Sequence, residues 1–180
     1  DGVDGLLLVF LICCLGYYIY LIEDANTIYL LKLLLVPVVL NLILNMLPSK
    51  TNLKFFSGNT GSLFIGFFIS FLTIELYNNF GVHPVYLIWP LWYPVYDFLF
   101  VSSNRAILKK SIFSADNSHL HHKILNKFNK NHLKTISIFF VLNVSIIYFG
   151  YLLSDISKIF SLITFIFGFV FYFAIRIKLK

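Results

Sequence analysis

Long apolar runs separated by short polar gaps dominate the chain. Six of them are long enough to cross a bilayer, at about 6–22, 28–47, 61–80, 84–102, 135–153 and 159–175. A spanning helix needs about 20 residues, since each adds about 1.5 Å toward about 30 Å of hydrocarbon. The strict alternation that marks a transmembrane strand is absent, so the runs read as helices. The predicted fold class is all-α, a polytopic membrane helical bundle of about six transmembrane helices. No internal repeat or low-complexity linker divides residues 1–180, which read as a single transmembrane domain. Pro90 and Pro94 mark the fourth run as one that can break.

Composition agrees with this pattern. Hydrophobic residues make up 59% of the chain, charged residues 12%, and the mean hydropathy is +0.84. A soluble domain carries about 25% charged residues. The net charge of +6 does not point to nucleic acid, because the basic residues sit in the gaps between apolar runs. Their distribution orients the bundle instead. With the amino terminus on the cytoplasmic side, Lys50, Lys54, Arg105, Lys109, Lys110, Lys123, Lys127, Lys130, Lys134, Arg176, Lys178 and Lys180 share that face. Only Lys32 and Lys158 fall toward the other side, where Glu23, Asp24 and Asp155 lie. This is the positive-inside pattern, and it fits an even number of crossings. It places loops of about 48–60 and 103–134 in the cytoplasm.

Cys13 and Cys14 are adjacent within the first run and form no framework, so they read as small apolar side chains. The start of the chain has no basic segment before its first apolar run and does not read as a signal peptide. Asp1-Gly-Val-Asp-Gly5 looks like the end of a motif, and the chain is expected to be the carboxy-terminal part of a longer protein.

Two loops carry candidate chemistry. Phe55-Phe-Ser-Gly-Asn-Thr-Gly-Ser62 leads into the third run. Gly58 and Gly61 permit close backbone approach, Thr60 or Ser62 can cap the helix, and a helix amino terminus suits a phosphate. An ordinary capped turn explains the same residues. In the longer loop, Ser118-His-Leu-His-His122 lies near Lys109, Lys110 and Lys123. His119, His121 and His122 can grip a pyrophosphate or a metal, or form a solvated cluster. At helical spacing, His119 and His122 would share a face and His121 would point elsewhere. Asp97 is an acid inside the fourth run, a candidate functional residue with Arg105 as its partner; a structural ion pair is the alternative.

Taken together, the Asp1–Gly5 segment, Gly58-Asn-Thr-Gly-Ser62 and the histidine loop resemble one family in order and spacing. It is the polyprenyl-phosphate N-acetylhexosamine-1-phosphate transferases of glycosyl transferase family 4, and residues 111–125 look most like the N-acetylglucosamine branch. The resemblance runs from Asp1 to about residue 125. It implies transfer of a sugar-1-phosphate from a UDP-N-acetylhexosamine to undecaprenyl (polyprenyl) phosphate, with release of UMP, at the cytoplasmic face of the bacterial inner membrane. It also implies Mg²⁺ as cofactor and a role in starting cell-wall or surface-polysaccharide assembly; a homodimer stays open.

Carried over by position, Asp1 and Asp4 match an acidic pair at the metal and nucleotide site. Asn45 and Phe56 match positions that contact and stack on uracil. His119, His121 and His122 match the motif beside the diphosphate, and Asp97 an acid in the fourth span. Asn59 stands where the family has a Mg²⁺-binding aspartate, and the loop before it is longer than usual. A catalytically inactive relative that binds nucleotide-sugar or lipid without turnover is therefore the alternative reading.

Overall fold

The computed structural model describes residues 3–48, 51–55, 58–109 and 119–178. These form eight α-helices and one 3-10 turn, and no strand occurs among the described residues. In chain order they are α1 Leu6–Leu21, α2 Ala25–Asn45, α3 Gly58–Phe80, α4 Pro84–Ile88, the 3-10 turn Trp89–Leu91, α5 Trp92–Ile107, α6 Leu120–Lys127, α7 His132–Ile156 and α8 Lys158–Lys178. The protein is an all-α, multi-pass membrane protein. Four helices, α2, α3, α7 and α8, are long and apolar enough to cross a bilayer, and α1 is a shorter apolar helix.

Two of the six expected spans differ in detail. At 16 residues, α1 rises about 24 Å, less than the full hydrocarbon thickness. It is also the best covered helix, with ten of its residues buried. It packs against α2, α3, α7 and the 3-10 turn, so it forms the centre of the bundle. By contrast, α2 buries only Leu31 and Asn45, and α3 only Ile65 and Leu76. Their outward apolar side chains suit lipid.

The expected fourth span is not one helix. It divides into α4, the 3-10 turn and α5, and α5 continues to Ile107. Proline cannot donate to a helical ladder and its ring crowds the preceding turn, so Pro90 sits in the tightened segment. Trp89 then turns onto α7 and α8. Its indole N–H donates to Ser161 Oγ at 2.9 Å, and Trp92 Nε1 donates to Asn143 Oδ1 at 2.8 Å. Gly150 makes room for this packing, since a Cβ there would come within 2.0 Å of the Trp89 ring.

Polar residues set the helix ends. The Asp24 carboxylate accepts from Thr27 N–H at the start of α2, and Asn131 Oδ1 from Lys134 N–H at the start of α7. Gly5 opens α1 at φ 77°, a left-handed conformation that glycine adopts freely. A side chain there would also meet Leu42 of α2 and Met46 at its carboxy-terminal cap, at 2.8 and 2.9 Å. The amino end of α1 is thus pressed onto the carboxy end of α2. Because the helices run back and forth, this end also receives the ends of α5 and α8 and the start of α7.

Candidate active site

The polar residues of this end form two clusters around the start of α1. In the first, Asp4 donates its backbone N–H to His132 Nδ1 at 3.0 Å. Lys54 Nζ lies 2.5 Å from Asp4 Oδ2. Asn45 connects the same region: its Oδ1 accepts from Gly5 N–H at 2.5 Å, and its Nδ2 donates to Phe55 O at 2.7 Å. Asn45, which the resemblance puts at the uracil, is buried with both ends of its amide bonded to backbone, so it ties the start of α1 to the loop at Phe55.

The second cluster centres on Asp97, which is 3% exposed on α5. Its Oδ2 accepts from His119 Nδ1 at 2.8 Å. Its Oδ1 accepts from Tyr172 O–H at 2.6 Å and from Leu120 N–H at 3.2 Å. The Arg176 guanidinium stands 3.6 Å from Oδ1. The cationic partner of Asp97 is therefore Arg176 on α8, together with His119, rather than the expected Arg105. Arg105 lies eight residues further along α5, about 12 Å by helical rise, and is itself buried.

The histidine loop is arranged differently from its spacing. His119 is the cap residue ahead of α6, in extended backbone, so it does not share a helical face with His122. Its ring stacks on His121, centroids 5.3 Å apart, and the His121 and His122 rings are 4.4 Å apart. His121 is buried against Tyr93: the tyrosine oxygen accepts its backbone N–H at 3.2 Å and meets its Nδ1 at 2.8 Å. Either the tyrosine O–H or the ring Nδ1–H is the donor of that last bond, according to the tautomer of His121. Burial, with His122 beside it, pushes the His121 imidazole down to about 3, so the ring is neutral at pH 7. Nε2 is buried and has no hydrogen-bond partner among the described residues, a polar atom of the kind that a ligand satisfies.

A cavity of about 520 Å³ links these parts. Asp97, His119 and His121 stand at its polar end, Leu6 carries it to the start of α1, and Ser62 to the start of α3. Phe10, Ile65 and Pro94 line the apolar remainder. It is an apolar groove in a membrane bundle that ends on a carboxylate and two imidazoles.

At the start of α3, the helix begins at Gly58, so Thr60 lies inside the first turn and Ser62 just beyond it, neither at the cap. The Ser62 hydroxyl donates back to Asn59 O at 2.9 Å. Asn59 is exposed. Asp1 and Phe56 lie outside the described residues. No group of three or more His, Cys, Asp or Glu side chains among the described residues is placed to hold a metal ion. Asp4 already carries an ammonium, Asp97 is saturated by protein donors, and Asn59 is neutral at the positive end of a helix.

Tyr93, Tyr172, Arg176, Lys54 and His132 belong to these clusters, and sequence reasoning did not single them out. Arg176 and Lys54 counted only as orienting charges. The tyrosines lay among 21 phenylalanines and 11 tyrosines with nothing to mark them.

Residues 1–77 match the profile of glycosyl transferase family 4. The chain is 29% identical over 147 residues to a protein of Bacillus subtilis (strain 168) named "Probable undecaprenyl-phosphate N-acetylglucosaminyl 1-phosphate transferase". That alignment covers 79% of this chain and 40% of the relative. It is 30% identical over 90 residues to the undecaprenyl-phosphate alpha-N-acetylglucosaminyl 1-phosphate transferase of Thermotoga maritima, covering 49% of this chain and 30% of that protein. The aligned stretch is thus well under half the length of either relative. No solved structure matches. The matched segment includes Asp4, Asn45, Lys54 and Asn59, and the longer alignment covers most of the chain: the chain is similar to glycosyl transferase family 4 over residues 1–77.

Proposed function

We propose that the complete protein carrying this chain transfers N-acetylhexosamine-1-phosphate from a UDP-sugar to undecaprenyl phosphate and releases UMP. The observation that carries this reading is the apolar groove ending on Asp97, His119 and His121. A polyprenyl phosphate is an apolar chain with one anionic head, and this groove offers a surface for each part. The names of both relatives state the same lipid acceptor and an N-acetylglucosaminyl 1-phosphate group.

In the reaction, an oxygen of the lipid phosphate attacks the sugar-bearing phosphorus of the UDP-sugar. The bond from that phosphorus to the bridging oxygen breaks, and its electron pair leaves with UMP. Such transfer depends mainly on positioning and on stabilising charge. His121 is a neutral imidazole whose Nε2 has no protein partner among the described residues, and Asp97 sets the direction of His119. Both imidazoles suit the diphosphate oxygens, as does His122 beside them. Mg²⁺ belongs to the proposal through the family resemblance, with Asp4 and Asn59 as this chain's candidate ligands. Mg²⁺ usually takes only one or two carboxylates and fills its shell with water and substrate phosphates. Asp1 and Phe56 keep the roles implied by resemblance. The polar end faces the cytoplasm of a bacterial inner membrane, where a nucleotide-sugar arrives, and the product would start cell-wall or surface-polysaccharide synthesis.

The test is UMP release by the purified complete protein given UDP-N-acetylglucosamine, undecaprenyl phosphate and Mg²⁺. Release should require both substrates, and His119→Ala should lower it by about a hundredfold or more. A protein that binds the substrates but releases no UMP would instead be a non-catalytic relative.

A further inference from the structure

Asp97 divides its two oxygens between different parts of the chain. Oδ1 accepts from Tyr172 O–H at 2.6 Å and Leu120 N–H at 3.2 Å, with the Arg176 guanidinium at 3.6 Å. Oδ2 accepts from His119 Nδ1 at 2.8 Å. Tyr172 and Arg176 are four residues apart on α8 and so lie on one face of it. Arg176 is 1% exposed, and its guanidinium lies 4.7 Å from the centre of the Phe100 ring, one turn along α5 from Asp97.

The division has a physical consequence. A buried carboxylate without partners is costly, and one free to rotate would offer either oxygen to His119. The α8 pair holds Oδ1 and supplies compensating charge, so the carboxylate keeps one orientation. Only Oδ2 then remains for His119. With Nδ1 tied to Oδ2, the other ring nitrogen of His119 has a set direction. We infer that Tyr172 and Arg176 are positioning residues that act on His119 through Asp97, making the last helix part of the site. This rests on the proposed reading that His119 faces the substrate diphosphate. It extends the site well past the segment in which any motif was visible.

The decisive experiment measures His119 directly and measures turnover separately. Carbethoxylation of His119 by diethyl pyrocarbonate, followed by peptide mass spectrometry, reports how firmly Nδ1 is held. His132 on the same polar end serves as the internal reference. In Arg176→Met and Tyr172→Phe, the His119 to His132 rate ratio should rise by about threefold or more. Arg176→Lys, which keeps a charge near Oδ1, should restore part of the wild-type ratio. In turnover, Arg176→Met should lower kcat by about tenfold with KM for the UDP-sugar changed less than about twofold. In a His119→Ala background the same substitution should have almost no further effect.

Equal acceleration at both histidines would mean general loosening and would overturn the inference. So would a kcat loss that persists in full without His119. Tyr172→Phe removes a single hydroxyl, so it answers the question even where Arg176→Met fails to fold. If the wild-type protein releases no UMP, the proposed reaction fails, and the carbethoxylation ratios still decide whether α8 positions His119.

Discussion

Lys54 Nζ stands 2.5 Å from Oδ2 of Asp4, and 8% of the lysine side chain is exposed. An ammonium at that distance occupies the place that a divalent cation on Asp4 would take. Asn59 removes a further negative charge from the expected metal position. Both residues should therefore weaken Mg²⁺ binding by the same electrostatic route. Lys54→Met and Asn59→Asp should each lower the Mg²⁺ needed for half-maximal UMP release by roughly threefold to tenfold. The check is a Mg²⁺ titration of the two variants against wild type. An unchanged midpoint in Asn59→Asp would take that position out of the metal site; an unchanged midpoint in Lys54→Met would do the same for Asp4.

His121 gives the histidine loop a pH dependence of known sign. Its imidazole falls from an ordinary 6.5 to about 3 because burial penalises the charged ring. The undocked loop therefore binds a proton more readily than the docked one. Its contribution to docking is complete above about pH 6.5 and is lost as the pH falls toward 3. Between pH 7 and pH 5, hydrogen exchange of the α6 amides, corrected for intrinsic rate, should rise by about tenfold. The α7 amides should not follow, and His121→Phe should abolish the slope. A wild-type α6 profile that is flat over this range would contradict the burial argument.

Orientation can be tested without any activity. Asn129 lies just after α6, in the loop with seven basic residues from Arg105 to Lys134. In a background with Cys13 and Cys14 replaced, Asn129→Cys should resist an impermeant thiol reagent in intact cells and label after lysis. Equal labelling in both would reverse the orientation given by the basic residues.

Much of the architecture was legible because the bilayer imposes length. Every run of adequate length is helical, and the extra turns of α7 and α8 lie only a few residues beyond the expected ends. The central place of α1 was hidden for the same reason. Lipid and protein interior are both apolar, so hydropathy does not tell a helix at the core from one at the rim. The break at Trp89–Leu91 was foreshadowed by Pro90, but its packing on Gly150 and Ser161 is a long-range fact.

For the candidate site, the compact motifs were visible because their chemistry is concentrated in a few neighbouring residues. His119 and His121 could be picked out in this way, although their relative placement followed capping geometry rather than helical spacing. The partners of Asp97 show where local reading ends. Arg105 was the nearest cation in sequence within its own helix, whereas Arg176 reaches Asp97 only because α8 returns beside α5. A tyrosine in an aromatic-rich span likewise carries no mark of the carboxylate that it will meet.

The position of Asp97 along α5 has a consequence for how a lipid would arrive. It lies ten residues before the end of that helix, about 15 Å by helical rise, at the polar end of the groove. The short α1 begins beside the groove, at Leu6. An isoprenoid would then enter sideways from the membrane. Its phosphate would reach the Asp97 and His119 end of the groove while its chain stays against the apolar lining. The apolar length of the groove, more than its width, would then decide which chains fit.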